Sequence, residues 1–101
     1  MKIVLDNKKD EISVSELAPH HIIIALIESE EGSTTEIYRL KRSGNNYIWT
    51  NFLSNYESPI FLTYETREKA IRDLATPYGH LSFHAFISYK ELFSWLNGLR
   101  I

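Results

Sequence analysis

Cysteine is the first residue type that this sequence lacks. Its 101 residues include none, which excludes disulfide bonds, thiolate nucleophiles and the usual cysteine-containing zinc sites. Stability therefore has to come from packing. A content of 44% hydrophobic and 24% charged residues is typical of a globular chain. We expect a single domain that spans residues 1–101.

Glycine is scarce, and the sequence signatures of common catalytic sites are missing. The four glycines lie at turn-like positions, so the sequence does not indicate a glycine-rich loop that binds phosphate. The chain has no G-x-S-x-G elbow and no H-E-x-x-H pair. We therefore expect no enzymatic activity, no catalytic residue and no cofactor.

Long hydrophobic segments are also absent. The sequence has no run of eighteen apolar residues, and its start has no basic segment followed by an apolar one. These absences predict neither a membrane span nor a secretion signal. We expect a cytoplasmic protein that makes no contact with a membrane.

The longest apolar run, Ile22 to Ile27, predicts the strand around which the rest of the chain packs. Because the run is continuous rather than alternating, we expect both of its faces to be covered. Its isoleucines and the flanking Pro19 and Gly32 favour a strand over a helix. Two short paired strands precede it, at Lys2 to Asp6 and around Ile12 to Val14.

A hairpin follows the main strand. Turn residues at positions 30–34 lead into a strand from Thr35 to Arg42. The segment from Ser43 to Asn46 contains residues that tolerate positive φ, as a tight hairpin requires, and Tyr47 to Leu53 forms the returning strand. Ile60 to Leu62 is a further short apolar segment that is compatible with a strand.

The last third of the chain changes to helical periodicity. Thr66 is the predicted N-cap of a helix from Arg67 to Ala75, which Pro77 and Gly79 would end. Alternating residues 81–87 predict a strand buried on one face only, and Ser88 opens a capping box before a second helix. The predicted fold is α+β, with about four to six mostly antiparallel strands, two helices in the C-terminal half and the order β-β-β-β-α-β-α.

The four histidines do not predict a metal site. His20 and His21 are neighbours in the predicted main strand, so their side chains should point to opposite faces. His80 and His84 share a face of their strand but lie roughly 13 Å apart, which is too far for one ion. We expect histidines at strand ends or on the surface.

Charge is unevenly distributed along the chain. Residues 1–36 contain eight acidic and three basic residues, which gives −5, and residues 37–101 contain eight basic and five acidic residues, which gives +3. Such a division can create oppositely charged surfaces that steer a partner. Ordinary solvated surface is the alternative interpretation.

Aromatic residues are abundant, at 13% of the chain with six tyrosines. Some of them should be exposed, where tyrosine and tryptophan favour protein interfaces. The alternative is that they only cover the surface of the sheet. The candidate interaction surface combines the hairpin with the acidic turn before it: Tyr38, Arg39, Lys41, Arg42, Tyr47, Trp49, Glu28, Glu30 and Glu31.

Five segments of the sequence form a recognisable pattern: ELAP (residues 16–19), YRL (38–40), N-x-Y-x-W-x-N (45–51), TREKAI (66–71) and S-x-K-E-L-x-x-W-L (88–96). Together they resemble small proteins encoded by phages and prophages of low-GC Gram-positive bacteria. The resemblance spans most of the chain and implies an accessory, non-enzymatic function in a mobile element, including inhibition of a host defence or regulatory protein. It contains no catalytic signature and assigns no functional residue.

The leading hypothesis is therefore a small protein-binding domain that occupies a surface of a host protein or self-associates. One alternative is a protein that binds or sequesters a nucleotide or signalling molecule in an aromatic-lined pocket. A second is a nucleic-acid-binding module, since basic and aromatic residues of the hairpin could contact phosphates and stack on bases. The acidic overall balance makes nucleic acid the weaker of these partners.

Overall fold

The computed structural model describes residues 2–5, 11–28, 35–52, 63–75 and 81–98. The predicted segments at residues 30–34, at 60–62 and around Pro77 and Gly79 lie outside these ranges, as does His80. The elements, in chain order, are β1 Lys2–Leu5, β2 Glu11–Ser13, a 3₁₀ turn Val14–Glu16, β3 Ile22–Glu28, β4 Thr35–Ser43, β5 Asn46–Asn51, α1 Arg67–Ala75, β6 Leu81–Phe86 and α2 Tyr89–Gly98.

The six strands form one sheet in the order β2-β1-β6-β3-β4-β5. Neighbouring strands are antiparallel except for β1 and β6, which run parallel. This confirms the α+β prediction of a mostly antiparallel sheet with two helices in the C-terminal half. Five strands rather than four precede the first helix, because the short β1 and β2 do pair, with Ile3 opposite Ile12.

The apolar run of β3 lies near the middle of the sheet, between β6 and β4. Ile23, Ala25 and Ile27 point to one face and pack with α1, and Ile24 and Leu26 point to the other face and pack with α2. The prediction that both faces are covered is confirmed. The continuous run is needed because each helix covers a different face of the same strand.

The local signals of the turn and of the helix starts are also confirmed. Gly44 takes a φ of 62° at the tip of the β4–β5 hairpin, a backbone conformation that glycine adopts without steric cost. Thr66 Oγ1 accepts a hydrogen bond of 3.1 Å from the backbone N–H of Lys69. Ser88 Oγ accepts one of 3.3 Å from the backbone N–H of Glu91. Each cap satisfies a backbone donor that the first helical turn leaves unpaired.

The prediction of a half-buried β6 is wrong. Phe83 and Ala85 pack on the α1 side of the sheet, and Phe86 is fully buried on the α2 side. His84 is also buried there, with 8% of its surface exposed. Ser82 and His84 are two residues apart and share a face of β6, which in the sequence looks like a face in contact with water. In the structure, β6 lies between β1 and β3, and α2 covers that face.

No helix within the described ranges is both long enough and apolar enough to cross a lipid bilayer.

Candidate functional site

Two residues of the predicted interaction surface are core residues. Tyr38 is 4% exposed and Trp49 is 1% exposed, and both pack beneath α1. The indole Nε1 of Trp49 donates a hydrogen bond of 3.1 Å to the carbonyl oxygen of Ala70 in α1. Both rings are buried in the core between the sheet and α1, so neither is accessible to a partner in this structure.

The basic residues of the hairpin are divided between the two faces of the sheet. Along β4, Tyr38 and Leu40 face α1 and Ile37 faces α2. The alternation of a strand therefore places Arg42 on the α1 side and both Arg39 and Lys41 on the α2 side. Tyr47 pairs with Arg42 and lies with it on the α1 side. The predicted residues thus do not form one continuous surface.

The acidic part of the predicted surface is described only at its edge. Glu28 is exposed at the end of β3, where it pairs with Thr35. Glu30 and Glu31 lie outside the described residues. Of the three predicted carboxylates, the structure therefore describes that of Glu28, which lies at the C-terminal end of β3.

A surface that the sequence reasoning missed lies along α2. Tyr89 is 44% exposed and Phe93 is 51% exposed, and their rings stack with centroids 6.1 Å apart. The ring of Phe52, at the end of β5, lies 6.4 Å from that of Phe93. The guanidinium carbon of Arg39 lies 5.2 Å from the centroid of the Tyr89 ring. We call these four residues the α2 aromatic surface.

The sequence contains a signal for this surface. Tyr89 and Phe93 are four residues apart in a helix, so they share a face. The sheet is already covered by Leu92 and Trp95 of the same helix. The apolar stripe of α2 is therefore wider than the sheet requires, and the excess residues form a contiguous exposed patch.

A cleft lies on the opposite face of the sheet, where the chain before β3, the hairpin and the start of α1 meet. It has a volume of about 290 Å³ and is lined by His21, Leu40, Arg42, Tyr47 and Arg67, among others. A neighbouring cleft of about 330 Å³ shares Tyr47 and Arg67 with it. Of the predicted interaction residues that the structure describes, Arg42 and Tyr47 line this cleft.

The prediction that His20 and His21 point to opposite faces of a strand is wrong. Both precede β3, which begins at Ile22, and their ring centroids are 4.7 Å apart. His21 Nδ1 accepts a hydrogen bond of 2.8 Å from the backbone N–H of Ala18. Across the part of the chain that the structure describes, no three histidine, aspartate or glutamate side chains form a group that could hold a metal ion.

His84 is a polar residue inside the α2 side of the core. Its Nε2 shares a hydrogen bond of 2.9 Å with Ser82 Oγ, and its ring centroid lies 4.6 Å from that of Trp95. Its buried Nδ1 has no hydrogen-bond partner among the described residues. Burial lowers the pKa of the imidazole because desolvation penalises its charged form. The ring is therefore neutral at neutral pH.

Comparison of the chain with protein-family models, curated proteins and solved structures finds no match.

Proposed function

We propose that this protein is a non-enzymatic protein-binding domain and that the α2 aromatic surface is its contact with a partner. The observation that carries the proposal is that the exposed rings of Tyr89 and Phe93 are contiguous with each other and with the half-buried ring of Phe52. Phe93 contacts both Tyr89 and Phe52, whereas scattered single apolar residues are ordinary on a protein surface. A patch of this kind is typical of interaction sites.

Burial of the two rings of α2 would supply useful binding energy. Tyr89 and Phe93 each retain about half of their surface in contact with water. An aromatic side chain buries about 150–250 Å² when fully covered, so each ring has about 100 Å² left to bury. At about 25 cal/mol per Å², this corresponds to about 2.5 kcal/mol per ring before the costs of association.

The arrangement is also partly preorganised. Arg39 lies over Tyr89 and restricts its motion through a cation–π contact, so less side-chain entropy remains to be lost on binding. Arg39 and Lys41 carry positive charge on the same face of β4. We propose that the partner presents apolar side chains flanked by carboxylates, which would complement these charges.

The resemblance to phage and prophage proteins supports an accessory function and suggests a host defence or regulatory protein as the partner. A second copy of the chain is the other form of protein binding that the same surface could support. The two forms differ in a simple way, since self-association raises the mass of the purified protein.

Site-specific photo-cross-linking tests the proposal. A photoreactive amino acid replaces Phe93 in one variant and Lys69, which is exposed on α1, in a control variant. We expect a discrete adduct from position 93 in host extract and none from position 69. Excess unlabelled wild-type protein should compete the adduct away, and excess Phe93→Ser protein should not.

Three outcomes would decide between the alternatives. An adduct with a different protein that meets both competition criteria supports a heterologous partner. An adduct of the chain with itself, together with a dimeric mass by light scattering, assigns the surface to self-association. Equal labelling from positions 93 and 69, or competition by Phe93→Ser as effective as that by the wild type, contradicts the proposal.

A further inference from the structure

The cleft between the hairpin and α1 has features that the α2 aromatic surface does not explain. It is on the opposite face of the sheet, and three separate chain segments build it. His21 comes from the segment before β3, Arg42 and Tyr47 face each other across the hairpin, and Arg67 is the first residue of α1. Its volume of about 290 Å³ is close to the lower end of the range for small-molecule sites, about 300 to 1,000 Å³.

Of the described residues that line this cleft, two carry guanidinium groups and none carries a carboxylate. Arg67 donates hydrogen bonds of 2.8 Å to the carbonyl oxygen of Ala18 and 3.2 Å to that of Leu17. These neutral acceptors fix the position of the guanidinium without neutralising its charge. The acidic residues nearest to Arg67 in sequence, Glu65 and Glu68, line the neighbouring cleft, to which Arg67 also contributes.

Arg42 is positioned by the turn of the hairpin. Its Nε donates a hydrogen bond of 3.1 Å to the carbonyl oxygen of Gly44, which leaves the two terminal amino groups to bind another acceptor. Across the described residues, neither Arg42 nor Arg67 forms an ion pair. Two arginines that share a cleft and have no counterion within the described ranges attract an anion, and the planar guanidinium matches the oxygens of phosphate.

The rest of the cleft is suited to an uncharged organic group. Leu40 and the ring of Tyr47 contribute apolar and aromatic surface. The backbone of Tyr47 is held on both sides, because it pairs with Arg42 in the hairpin and exchanges hydrogen bonds of 2.8 Å and 2.9 Å with Tyr64. An aromatic wall beside charged donors is a common composition of small-ligand sites.

We propose that this cleft binds a small organic phosphate, with the phosphate group at Arg42 and Arg67 and the organic part against Tyr47 and Leu40. The site is independent of the proposed protein contact, since it lies on the other face of the sheet and shares no residue with it. A ligand here would link the segment before β3 to the hairpin and to α1, and would stabilise the folded chain by mass action.

Titration calorimetry with defined probes tests this site. The probes are adenosine 5′-monophosphate, ribose 5-phosphate, inorganic phosphate and uncharged adenosine. We expect saturable binding of at least one phosphate ester that is tighter than that of inorganic phosphate. Adenosine should bind more weakly than its monophosphate, and added salt should weaken ester binding because the attraction is electrostatic.

Two single variants separate the site from general electrostatic attraction. Arg42→Gln removes a charge inside the cleft, and Lys41→Gln removes the same charge from the opposite face of the same strand. We expect Arg42→Gln to weaken ester binding by about tenfold or more, which is the effect of losing one charge-assisted contact. Lys41→Gln should change it by less than about twofold. Melting curves of both variants check that the fold is retained.

The proposal is wrong if no ester shows saturable binding at millimolar concentration, or if both variants lose affinity equally. Inorganic phosphate that binds as tightly as the esters would contradict the role of Tyr47 and Leu40. In parallel, amide chemical shifts locate the bound ester. Adding the ester should change the amide shifts of residues in the hairpin turn and at the start of α1. Shifts confined to α2 would overturn the assignment.

Discussion

The two faces of the sheet are packed in different ways. On the α1 side, large side chains such as Trp49 and Tyr38 are buried in the core. On the α2 side, the core is smaller and includes the polar His84, and the aromatic residues Tyr89 and Phe93 remain half exposed. The difference is that α1 only covers the core, whereas α2 covers the core and also leaves aromatic surface exposed, which is the surface that we propose for a partner.

The largest predicted effect separates a buried aromatic residue from an exposed one. Trp49→Ala should lower the free energy of unfolding by about 3–5 kcal/mol, since it opens a cavity and removes the hydrogen bond to Ala70. Phe93→Ala should lower it by no more than about 1.5 kcal/mol, because only half of that ring is buried and the other half is in water. Urea unfolding of both variants measures the contrast, and equal losses would contradict it.

The next prediction concerns the polar residue in the α2 core. Because burial places the pKa of folded His84 below its ordinary value of about 6.5, the unfolded chain binds more protons as the pH falls below that value. Stability should therefore decrease as the pH is lowered through the window between the ordinary and the folded pKa. His84→Phe should reduce this dependence in urea titrations between neutral and mildly acidic pH.

His20→Gln is the control for that measurement, since His20 is exposed. The two single variants remove one histidine each, so their difference reports the environment of the imidazole rather than the loss of a titrating group. An unchanged pH dependence in His84→Phe, or an equal change in His20→Gln, would show that His84 is not the source.

The smallest effects should be found at the caps, where the two helices are alike. Thr66→Ala and Ser88→Ala each remove one side-chain acceptor from a backbone N–H. Each should cost about 1 kcal/mol of stability, measured by thermal or urea unfolding. Thr66 is exposed and Ser88 is half-buried, so a loss of several kcal/mol from either variant would mean that the cap residue has a second role in packing.

Much of the fold could be predicted because its signals are local. The run from Ile22 to Ile27, the positive φ at Gly44 and the cap at Thr66 each depend on a few neighbouring residues, and all three are found where the sequence places them. Strand order is not local: the parallel pairing of β1 with β6 joins segments about eighty residues apart, and no periodicity encodes it.

The same limit explains the errors in the candidate site. The number of aromatic residues does not indicate which face of the sheet each one occupies, so the sequence predicts Trp49 at the surface although α1 covers it. The alternation of β6 alone also predicts His84 at the surface, because it does not show that α2 packs over this face of the strand. The cleft could not be predicted either, since Arg42 and Arg67 meet only through the packing of α1 against the hairpin.

Hydrogen exchange in the partner complex identified by cross-linking tests most directly whether the α2 aromatic surface is the protein contact. We expect new protection at residues 89–96 of α2 and near Phe52, with no change in α1 at residues 67–75. Protection centred on α1, with α2 unchanged, would contradict the assignment of the α2 aromatic surface as the site of protein binding.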